Sequence, residues 1–319
     1  MAPLGSIVYR FCVGGWCFAV GDWRSVRVLM RTLTVAFSVS FLLGRFASPL
    51  AAAEELSLKT VLGRAATYAL EYHQRFKVLV AEEHYVQRME PARPATPDNP
   101  SPLPPRQERH LKSDYILLND FAGTNTWIGV REVLEVDGEP VTTDRDRLRA
   151  ILDDTTQSLT SRVRALADQQ AKYNLGDLYR TINIPTLPLE ILLPDRQPRF
   201  RFKHRGVTAV GDRPVWIVSY DERDHPTIIR TPEGRDIESS GTFWIDPSNG
   251  AVLRSELRTG QLPGRPLTTI ILVSYTHNSR FDMLLPDDMN ELYLTGHTRI
   301  EGHAVYSNYR RWEAEVRIK

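Results

Sequence analysis

The stretch Gly241–Leu257, GTFWIDPSNGAVLRSEL, has the pattern of two strands joined by a tight turn. Pro247 fixes φ at about −65°, as a type I turn requires, and Asp246 can hydrogen-bond back to the turn backbone. Gly250 can adopt a positive φ at no steric cost. Similar hairpin patterns recur throughout the chain after residue 198, so this stretch predicts a fold organised around an antiparallel sheet.

Eight segments after residue 198 combine β-branched or aromatic residues with alternating polarity, and we predict that they are strands. They are 199–204, 215–220, 227–231, 242–245, 251–258, 267–275, 291–295 and 298–318. Turn signals separate them at Gly206, Gly211-Asp212, Gly234, Asp246 to Gly250, Gly260 and Gly296, and Asp287-Asp288 is also assigned to a turn. This spacing predicts consecutive antiparallel hairpins, because parallel strands need longer crossover connections.

The preceding half begins with a helix and continues with strands. Residues 58–76 have apolar side chains at helical spacing, which predicts an amphipathic helix. Residues 78–89 are rich in β-branched residues and predict a strand, with a continuation of the helix as the alternative. Residues 109–119 and 127–136 predict further strands, and Asp137-Gly138 predicts a hairpin turn after the second.

Three other segments interrupt this half. Residues 91–106 contain seven prolines, which predicts an extended solvated loop; a polyproline docking ligand is the alternative. Residues 144–175 have one apolar side and predict a helical insertion. Residues 181–194, whose only charge is Glu190, predict a core plug with Thr186 as helix cap, or alternatively a lid over an apolar cavity.

The domain organisation follows from these elements. Residues 1–53 predict a targeting segment, 54–197 the helix, strands, loop and insertion, and 198–319 the antiparallel region, with the last two in one domain. The predicted fold class is α+β: a large curved antiparallel sheet, resembling a half-barrel, packed on a few helices.

The N-terminal segment has the layout of a secretory signal peptide. Arg31 precedes the apolar run 33–43, and small residues at 51–53 predict cleavage after Ala53. The run is too short to predict a membrane span, and an uncleaved anchor is the alternative. Met30 is an alternative start to the chain. We therefore expect a periplasmic or secreted protein with no permanent membrane span in its mature form.

Charge and cysteine content exclude several classes of function. The chain has 40 Lys and Arg against 39 Asp and Glu, so no net field predicts a nucleic-acid partner. Both cysteines, Cys12 and Cys17, lie in the segment that cleavage would remove. A mature chain without cysteine would have no disulfide, no thiolate metal ligand and no thiol nucleophile.

The sequence contains no recognised catalytic or cofactor motif. G-x-S-x-G, H-E-x-x-H, Walker A, G-x-G-x-x-G and EF-hand patterns are all absent. His297, Glu301 and His303 are the nearest approach to a metal-binding pattern, although histidines on a solvated strand face are commoner. The sequence therefore favours a non-enzymatic protein with no cofactor and no metal.

Large aromatic residues in predicted strands give the candidate binding site, because they either pack beneath a helix or line an apolar pocket. In Tyr306–Trp312, YSNYRRW, alternation places Tyr306, Asn308 and Arg310 on one face. That face either recognises an anionic head group or makes ordinary cross-strand contacts. The candidate ligand-binding residues are Trp127, Leu187, Ile191, Leu192, Phe202, Trp216, Trp244, Tyr306 and Arg310.

Short tracts within residues 198–318 resemble the LolA-like periplasmic lipoprotein-carrier family, which is related to outer-membrane lipoprotein-sorting proteins. They are GDRPVWIVSYDER, GTFWIDPSNGAVLRSEL and LLPDDM, with Trp244-Ile245-Asp246 and Leu285-Pro286 as the most typical pairs. The whole mature chain also resembles a family of exported bacterial proteins with no assigned activity, through VAEEHYVQ, RTINIPTLPLEILLP and YSNYRRW. The carrier resemblance implies a half-barrel that binds acyl chains beneath its helices, and no catalytic residues.

The leading functional hypothesis is an exported non-enzymatic protein that binds an apolar or lipid-like ligand in the envelope. Its expected partners are lipid or acyl chains. The alternative is an envelope protein-interaction or structural module without a small ligand, which the proline loop and the arginine-rich side of residues 144–175 suggest.

Overall fold

The structure is a computed structural model that describes residues 12–13, 16–17, 56–76, 78–92, 105–119, 126–141, 171–176, 180, 182–231, 233–260 and 267–311. The chain divides into two compact units, Met1–Ala53 and Glu54–Lys319. In the first unit, strand β1 (Cys12–Val13) pairs antiparallel with β2 (Trp16–Cys17).

The described part of the second unit consists of strands, one α-helix and short 3₁₀ turns. The helix is α1 (Leu58–Arg75). The strands are β3 (Val78–Pro91), β4 (Gln107–Asn119), β5 (Trp127–Val136), β6 (Glu139–Pro140), β7 (Phe200–Val210), β8 (Arg213–Glu222), β9 (Ile229–Arg230), β10 (Asp236–Ile237), β11 (Ser239–Ile245), β12 (Val252–Thr259), β13 (Thr268–Asn278), β14 (Met283–Leu294) and β15 (Thr298–Arg311). The 3₁₀ turns are Ala171–Tyr173, Leu187–Leu192 and Gln197–Arg199.

Eleven strands form one open antiparallel sheet in the order β6-β5-β4-β3-β15-β14-β13-β12-β11-β8-β7. Most neighbours are consecutive in sequence, as the hairpin pattern predicts. The exceptions are the pairing of β15 with β3, which joins the last described strand to the first strand of this unit, and that of β8 with β11. Among the described strands, the sheet ends at β6 and β7, which do not pair with each other. The predicted large antiparallel sheet is confirmed, and the predicted packing on a few helices is confirmed in part, since α1 is the one α-helix among the described residues of this unit.

The hairpin of β11 and β12 contains the turn that the sequence predicts. The Gly250 amide donates to the Asp246 carbonyl at 2.8 Å, and the Ser248 amide donates to the Asp246 carboxylate at 2.9 Å. Gly250 has φ +80°. A Cβ at Gly250 would lie 2.2 Å from the carbonyl carbon of Arg64 in α1, so this turn must have glycine to seat the helix.

The two faces of the sheet differ. Along β3, β11 and β13, every second residue is buried, and Phe243, Ile245, Ile271 and Val273 share one core cluster with α1 residues such as Tyr72. We call this side the helix-covered face and the other side the opposite face. Because side chains alternate along a strand, the opposite face carries Trp244 and its cross-strand neighbours.

Three predicted turns or strands in the second half are wrong. The strand at 227–231 is only Ile229–Arg230, and it pairs with β10 outside the large sheet. Asp287-Asp288 lies inside β14, which Pro286 does not interrupt because it lies at a register shift in the pairing with β13. Gly206 lies inside β7 at a similar shift, with φ +139°, so it bends the strand where a turn is predicted.

The predicted alternation in Tyr306–Trp312 is also wrong. The pairing of β15 with β3 shifts between Ser307 and Arg310, and Asn308 has φ +49°. As a result, Tyr306 and Tyr309 are both buried, whereas alternation puts them on different faces. A bulge of this kind resets the face of every residue after it.

In the first half, the strand assigned to residues 78–89 is confirmed and extends to Pro91, and Asp137-Gly138 forms the predicted turn with positive φ at both residues. Most of the proline-rich loop, residues 93–104, and most of the helical insertion, residues 142–170, lie outside the described residues. So does Trp312. None of the helical segments within the described ranges has the length and apolar character that crossing a membrane requires.

Candidate functional site

Helix α1 covers the middle of the helix-covered face. Ser57 caps it by accepting a hydrogen bond from the Thr60 amide at 3.1 Å. The apolar side that the spacing predicts faces the sheet, and its most completely buried members are Val61, Ala65, Ala69, Tyr72 and Phe76. Phe76 lies edge-on to Phe281, with ring centroids 5.6 Å apart.

Arginines tie α1 to two hairpin turns. The Arg64 guanidinium donates to the Pro247 carbonyl at 2.6 Å, in the turn between β11 and β12. The Arg75 guanidinium donates to the carbonyls of Phe281 and Asp282 at 3.2 and 3.1 Å, in the turn between β13 and β14. Both ties use backbone acceptors, so they fix the helix without depending on the side chains of the turns.

A second cover lies beside α1, and we call residues 182–199 the cover segment. Leu189 and Leu192 are fully buried, as expected of a core plug. The segment contains the 3₁₀ turn Leu187–Leu192, and Thr186 lies at its N-cap position as predicted, but the Thr186 side chain makes no capping hydrogen bond. Gln197 links the cover segment to α1. Its side-chain amide donates to the Leu62 carbonyl in α1 at 2.9 Å and to the Leu192 carbonyl at 2.8 Å.

Glu190 is the one charged residue of the plug, and it is fully buried. Its carboxylate accepts a hydrogen bond from the Trp127 amide at 2.6 Å and pairs with Arg196 at 3.0 Å. Burial raises the pKa of Glu190 to about 7, although Arg196 and the Trp127 amide favour the charged form. The Trp127 indole donates to the His73 ring at 3.1 Å, so Trp127 links the cover segment to α1.

Tyrosine hydroxyls of the sheet hold the start of the cover segment by its backbone. Tyr115 donates to the Asn183 carbonyl at 3.2 Å, and Tyr275 donates to the Pro185 carbonyl at 2.7 Å. The Tyr275 hydroxyl also meets Ser255 at 2.9 Å. Burial raises the pKa of both tyrosines, so they remain neutral donors.

A buried ion pair lies on the same face, between β3 and β5. The Arg131 guanidinium donates two hydrogen bonds to Glu83, at 2.6 and 2.9 Å, and lies 4.2 Å from the centroid of the Tyr85 ring. Burial raises the pKa of Glu83, and the charge of Arg131 opposes that rise. A bidentate pair of this kind satisfies the buried charge.

Next to this pair, Arg180 is 8% exposed and donates to the Tyr85 hydroxyl at 2.7 Å and to the Gln87 side chain at 2.9 Å. The Tyr85 hydroxyl donates in turn to Glu291 at 3.2 Å, which also accepts from Tyr293 at 2.7 Å. This end of the helix-covered face is therefore polar and hydrogen-bonded. The apolar part lies beneath α1.

The nine candidate residues lie on both faces and cannot line one cavity. Trp127, Ile191 and Leu192 are buried at the cover segment, Leu187 is half-buried there, and Tyr306 is buried edge-on to Tyr115. Phe202 lies near Tyr220, with centroids 6.4 Å apart, and Trp216 stacks on His204 at 4.0 Å, both near the β7 edge. Trp244 and Arg310 lie on the opposite face, where Trp244 lies beneath Arg254 and Arg310 pairs with Asp114 at 2.6 Å.

A groove of about 370 Å³ lies on the opposite face and is lined mainly by polar and charged side chains. Its lining residues are Glu82, Lys112, Ser113, Asp114, Glu132, Leu134 and Arg310. Within the described ranges, no group of three or more His, Cys, Asp or Glu side chains is arranged to hold a metal ion. His303 hydrogen-bonds to Asp288, and Glu301 pairs with Arg299.

Sequence reasoning misses the polar contacts of the helix-covered face: Glu83, Tyr85, Tyr115, Arg131, Arg180 and Tyr275. Part of the signal is present, because alternation along β3 places Glu83 and Tyr85 on the same face as Leu79 and Ala81. Glycines inside strands also mark close approach. A Cβ at Gly129 would lie 2.1 Å from the Tyr115 hydroxyl.

The solved structures that are similar to this chain include three with a low sequence identity. A DUF1329 family protein from Desulfovibrio piger has 9% identity and a TM-score of 0.31, over 81% of this chain and 95% of that chain. A domain described as an outer membrane lipoprotein-sorting protein from Vibrio parahaemolyticus has 8% identity and a TM-score of 0.30, over 81% and 95%. A LolA superfamily protein from Nitrosomonas europaea has 10% identity and a TM-score of 0.29, over 82% and 96%.

These neighbours include the group of proteins that the sequence tracts resemble. A comparison with family models gave no match, and a comparison with curated proteins gave none.

Proposed function

We propose that this chain is an exported, non-enzymatic protein that binds an apolar or lipid-like ligand between α1 and the sheet. The observation that supports this proposal is the way in which α1 covers the apolar part of an open sheet. Its ties at Arg64 and Arg75 are hydrogen bonds to carbonyls of hairpin turns, and Arg75 is exposed. Water can replace the Arg75 bonds at the surface, so the bond from the Trp127 indole to His73 is the buried polar contact that α1 would break on leaving the face.

The length of the ligand follows from the buried apolar contacts of α1 that it would have to replace. Each buried methylene contributes about 0.8 kcal/mol, so a chain of about 14 carbons contributes on the order of 11 kcal/mol. Burial of the apolar side of α1, from Val61 to Phe76, is of the same order. A short apolar molecule would therefore not displace the helix, and we expect the ligand to be a long acyl chain.

Native mass spectrometry of the protein purified from the cell envelope tests this proposal. We expect an N-terminus at Glu54, which follows the proposed cleavage site, and a mass increment corresponding to an acyl lipid. A protein that carries no lipid, and that binds fluorescent fatty acids with no dependence on chain length, refutes the proposal. A stable crosslinked protein partner in that case favours the alternative of an interaction module.

A variant tests the position of the ligand. Arg75→Met removes the tie of α1 to the turn at Phe281 and Asp282, which is worth about 1 kcal/mol. The state in which α1 has left the sheet, which is the state that binds ligand, then becomes more populated. We therefore expect the Kd for a long fatty acid to fall about fivefold. Arg230→Met is the matched control, since Arg230 is also exposed but lies in the separate β9–β10 ribbon. Equal Kd values for the two variants place the ligand elsewhere.

A further inference from the structure

Strand β7 is a long edge strand of the large sheet. It pairs with β8 on one side, and within the described residues no strand pairs with its other side. Most of its side chains from Arg201 onward are exposed, and Val207 is 60% exposed. The backbone donors and acceptors along the free side of such a strand can pair with an added strand.

The first half of β7 has two chemically different sides. Arg201 and Lys203 project to one side, and Phe200 and Phe202 project to the other. Phe202 is half-buried against Tyr220. The register shift after His204 ends this regular stretch, so the stretch available for regular pairing is 200–204.

The positive charge of this stretch is only partly balanced. Arg201 lies 3.3 Å from Asp221, and both side chains are about half exposed. Arg205 hydrogen-bonds to the Ser219 hydroxyl at 2.8 Å. Lys203 makes no ion pair among the described residues, and Arg199 adds to the basic character of the edge.

We propose that β7 binds an extended segment of a partner protein in which acidic and apolar residues alternate, and that this segment adds a twelfth strand to the sheet. Carboxylates of the added strand would face Arg201 and Lys203, and its apolar residues would face Phe202. A second copy of this chain is disfavoured as occupant, because an antiparallel β7–β7 pair would bring basic residues together, and like charges in cross-strand neighbours destabilise a sheet.

The test uses short capped peptides labelled with a fluorophore and the mature chain. In the first peptide, glutamate and valine alternate. In the second peptide, lysine replaces each glutamate. The third peptide has the composition of the first, but its glutamates and valines are grouped into two blocks, so that the charge is the same and the alternation is lost. We expect the first peptide to bind at least about tenfold more tightly than either control. Amide hydrogen exchange should slow at residues 200–204 on binding and stay unchanged in β9 and β10.

Charge reversal provides the second arm. Arg201→Glu with Lys203→Glu should weaken binding of the glutamate peptide about tenfold and make the lysine peptide the tighter ligand. If that double variant does not fold, Lys203→Gln alone should still weaken binding of the glutamate peptide and leave the unfolding midpoint unchanged, because this side chain is exposed.

Three results overturn the proposal: equal binding of the three peptides, protection of a region other than β7, or protection of β7 that grows with protein concentration in the absence of peptide. The last result would show that the edge pairs with a second copy. None of these results bears on lipid binding beneath α1, so this proposal and the proposed function can fail separately.

Discussion

Substituting Gly250 with alanine tests how the turn of the β11–β12 hairpin seats helix α1. Alanine at φ +80° costs about 1–2 kcal/mol for its left-handed backbone. The new Cβ would also lie 2.2 Å from the Arg64 carbonyl carbon and 2.4 Å from the Ala65 amide nitrogen. Backbone atoms cannot rotate away, so the overlap costs roughly a further 1–3 kcal/mol. We expect Gly250→Ala to lower the free energy of unfolding by roughly 2–5 kcal/mol.

Gly234→Ala is the matched control. Gly234 also has φ +80°, and no heavy atom lies within 4 Å of a Cβ built there, so this variant should lose only the backbone contribution of about 1–2 kcal/mol. Urea unfolding of both variants gives the difference. Amide exchange should also become faster along α1 in Gly250→Ala alone. If the two variants lose the same free energy, α1 is not seated on the turn as described, and the reasoning is refuted.

Two further predictions concern buried charge. The pKa of Glu190 is about 7 in the folded state, against an ordinary value of 4.5, so the folded state binds the proton more tightly than the unfolded state. The free energy of unfolding of the wild type should therefore fall by about 3 kcal/mol as the pH rises from 4.5 to above 7, measured relative to Glu190→Gln. Parallel pH profiles from urea unfolding would contradict this, and the exposed Glu139→Gln is the control. Arg131→Met should lose about 3–5 kcal/mol at neutral pH because Glu83 remains buried without its cation. Adding Glu83→Gln should restore much of that loss, and a double variant no more stable than the single one would argue against the pair.

Local chemistry made much of the fold predictable from the sequence. The turn at Asp246 to Gly250, the hairpin at Asp137-Gly138 and the amphipathic spacing of 58–76 each depend on residues within one turn or one helix, and each is observed. The pairing of β15 with β3 was not predictable in the same way. It joins residues about two hundred positions apart, and no local pattern specifies which strands become neighbours across such a separation.

The errors share a physical cause. At Gly206, at Pro286 and within Tyr306–Tyr309, the backbone shifts register without leaving the sheet. Glycine, proline and polar residues at such positions resemble turn signals in the sequence, because bulges and turns use the same unusual backbone conformations. Strict alternation therefore fails after each shift, which is why the face of Arg310 could not be read from Tyr306.

The candidate site was less predictable, because its definition depends on which polar groups meet across the core. Tyr115 and Tyr275 read as ordinary strand aromatics in the sequence. Only the fold shows that their hydroxyls donate to the carbonyls of Asn183 and Pro185. Likewise, the charge of Glu190 is conspicuous in an apolar segment, but only the fold supplies the Trp127 amide as its partner.

These contacts also determine which cover would move to admit a ligand. An acyl chain that displaced residues 183–185 would leave the Tyr115 hydroxyl buried without its acceptor, at about 1–3 kcal/mol, since hydrocarbon accepts no hydrogen bond. The Tyr275 hydroxyl would keep only Ser255 as partner. Displacement of Glu190 would strand a buried carboxylate as well. Displacement of α1 would break the buried bond from the Trp127 indole to His73, but its Arg75 tie lies at the surface, where water can satisfy both ends. The ligand site that we propose is therefore beneath α1, and the cover segment stays in place as its fixed wall.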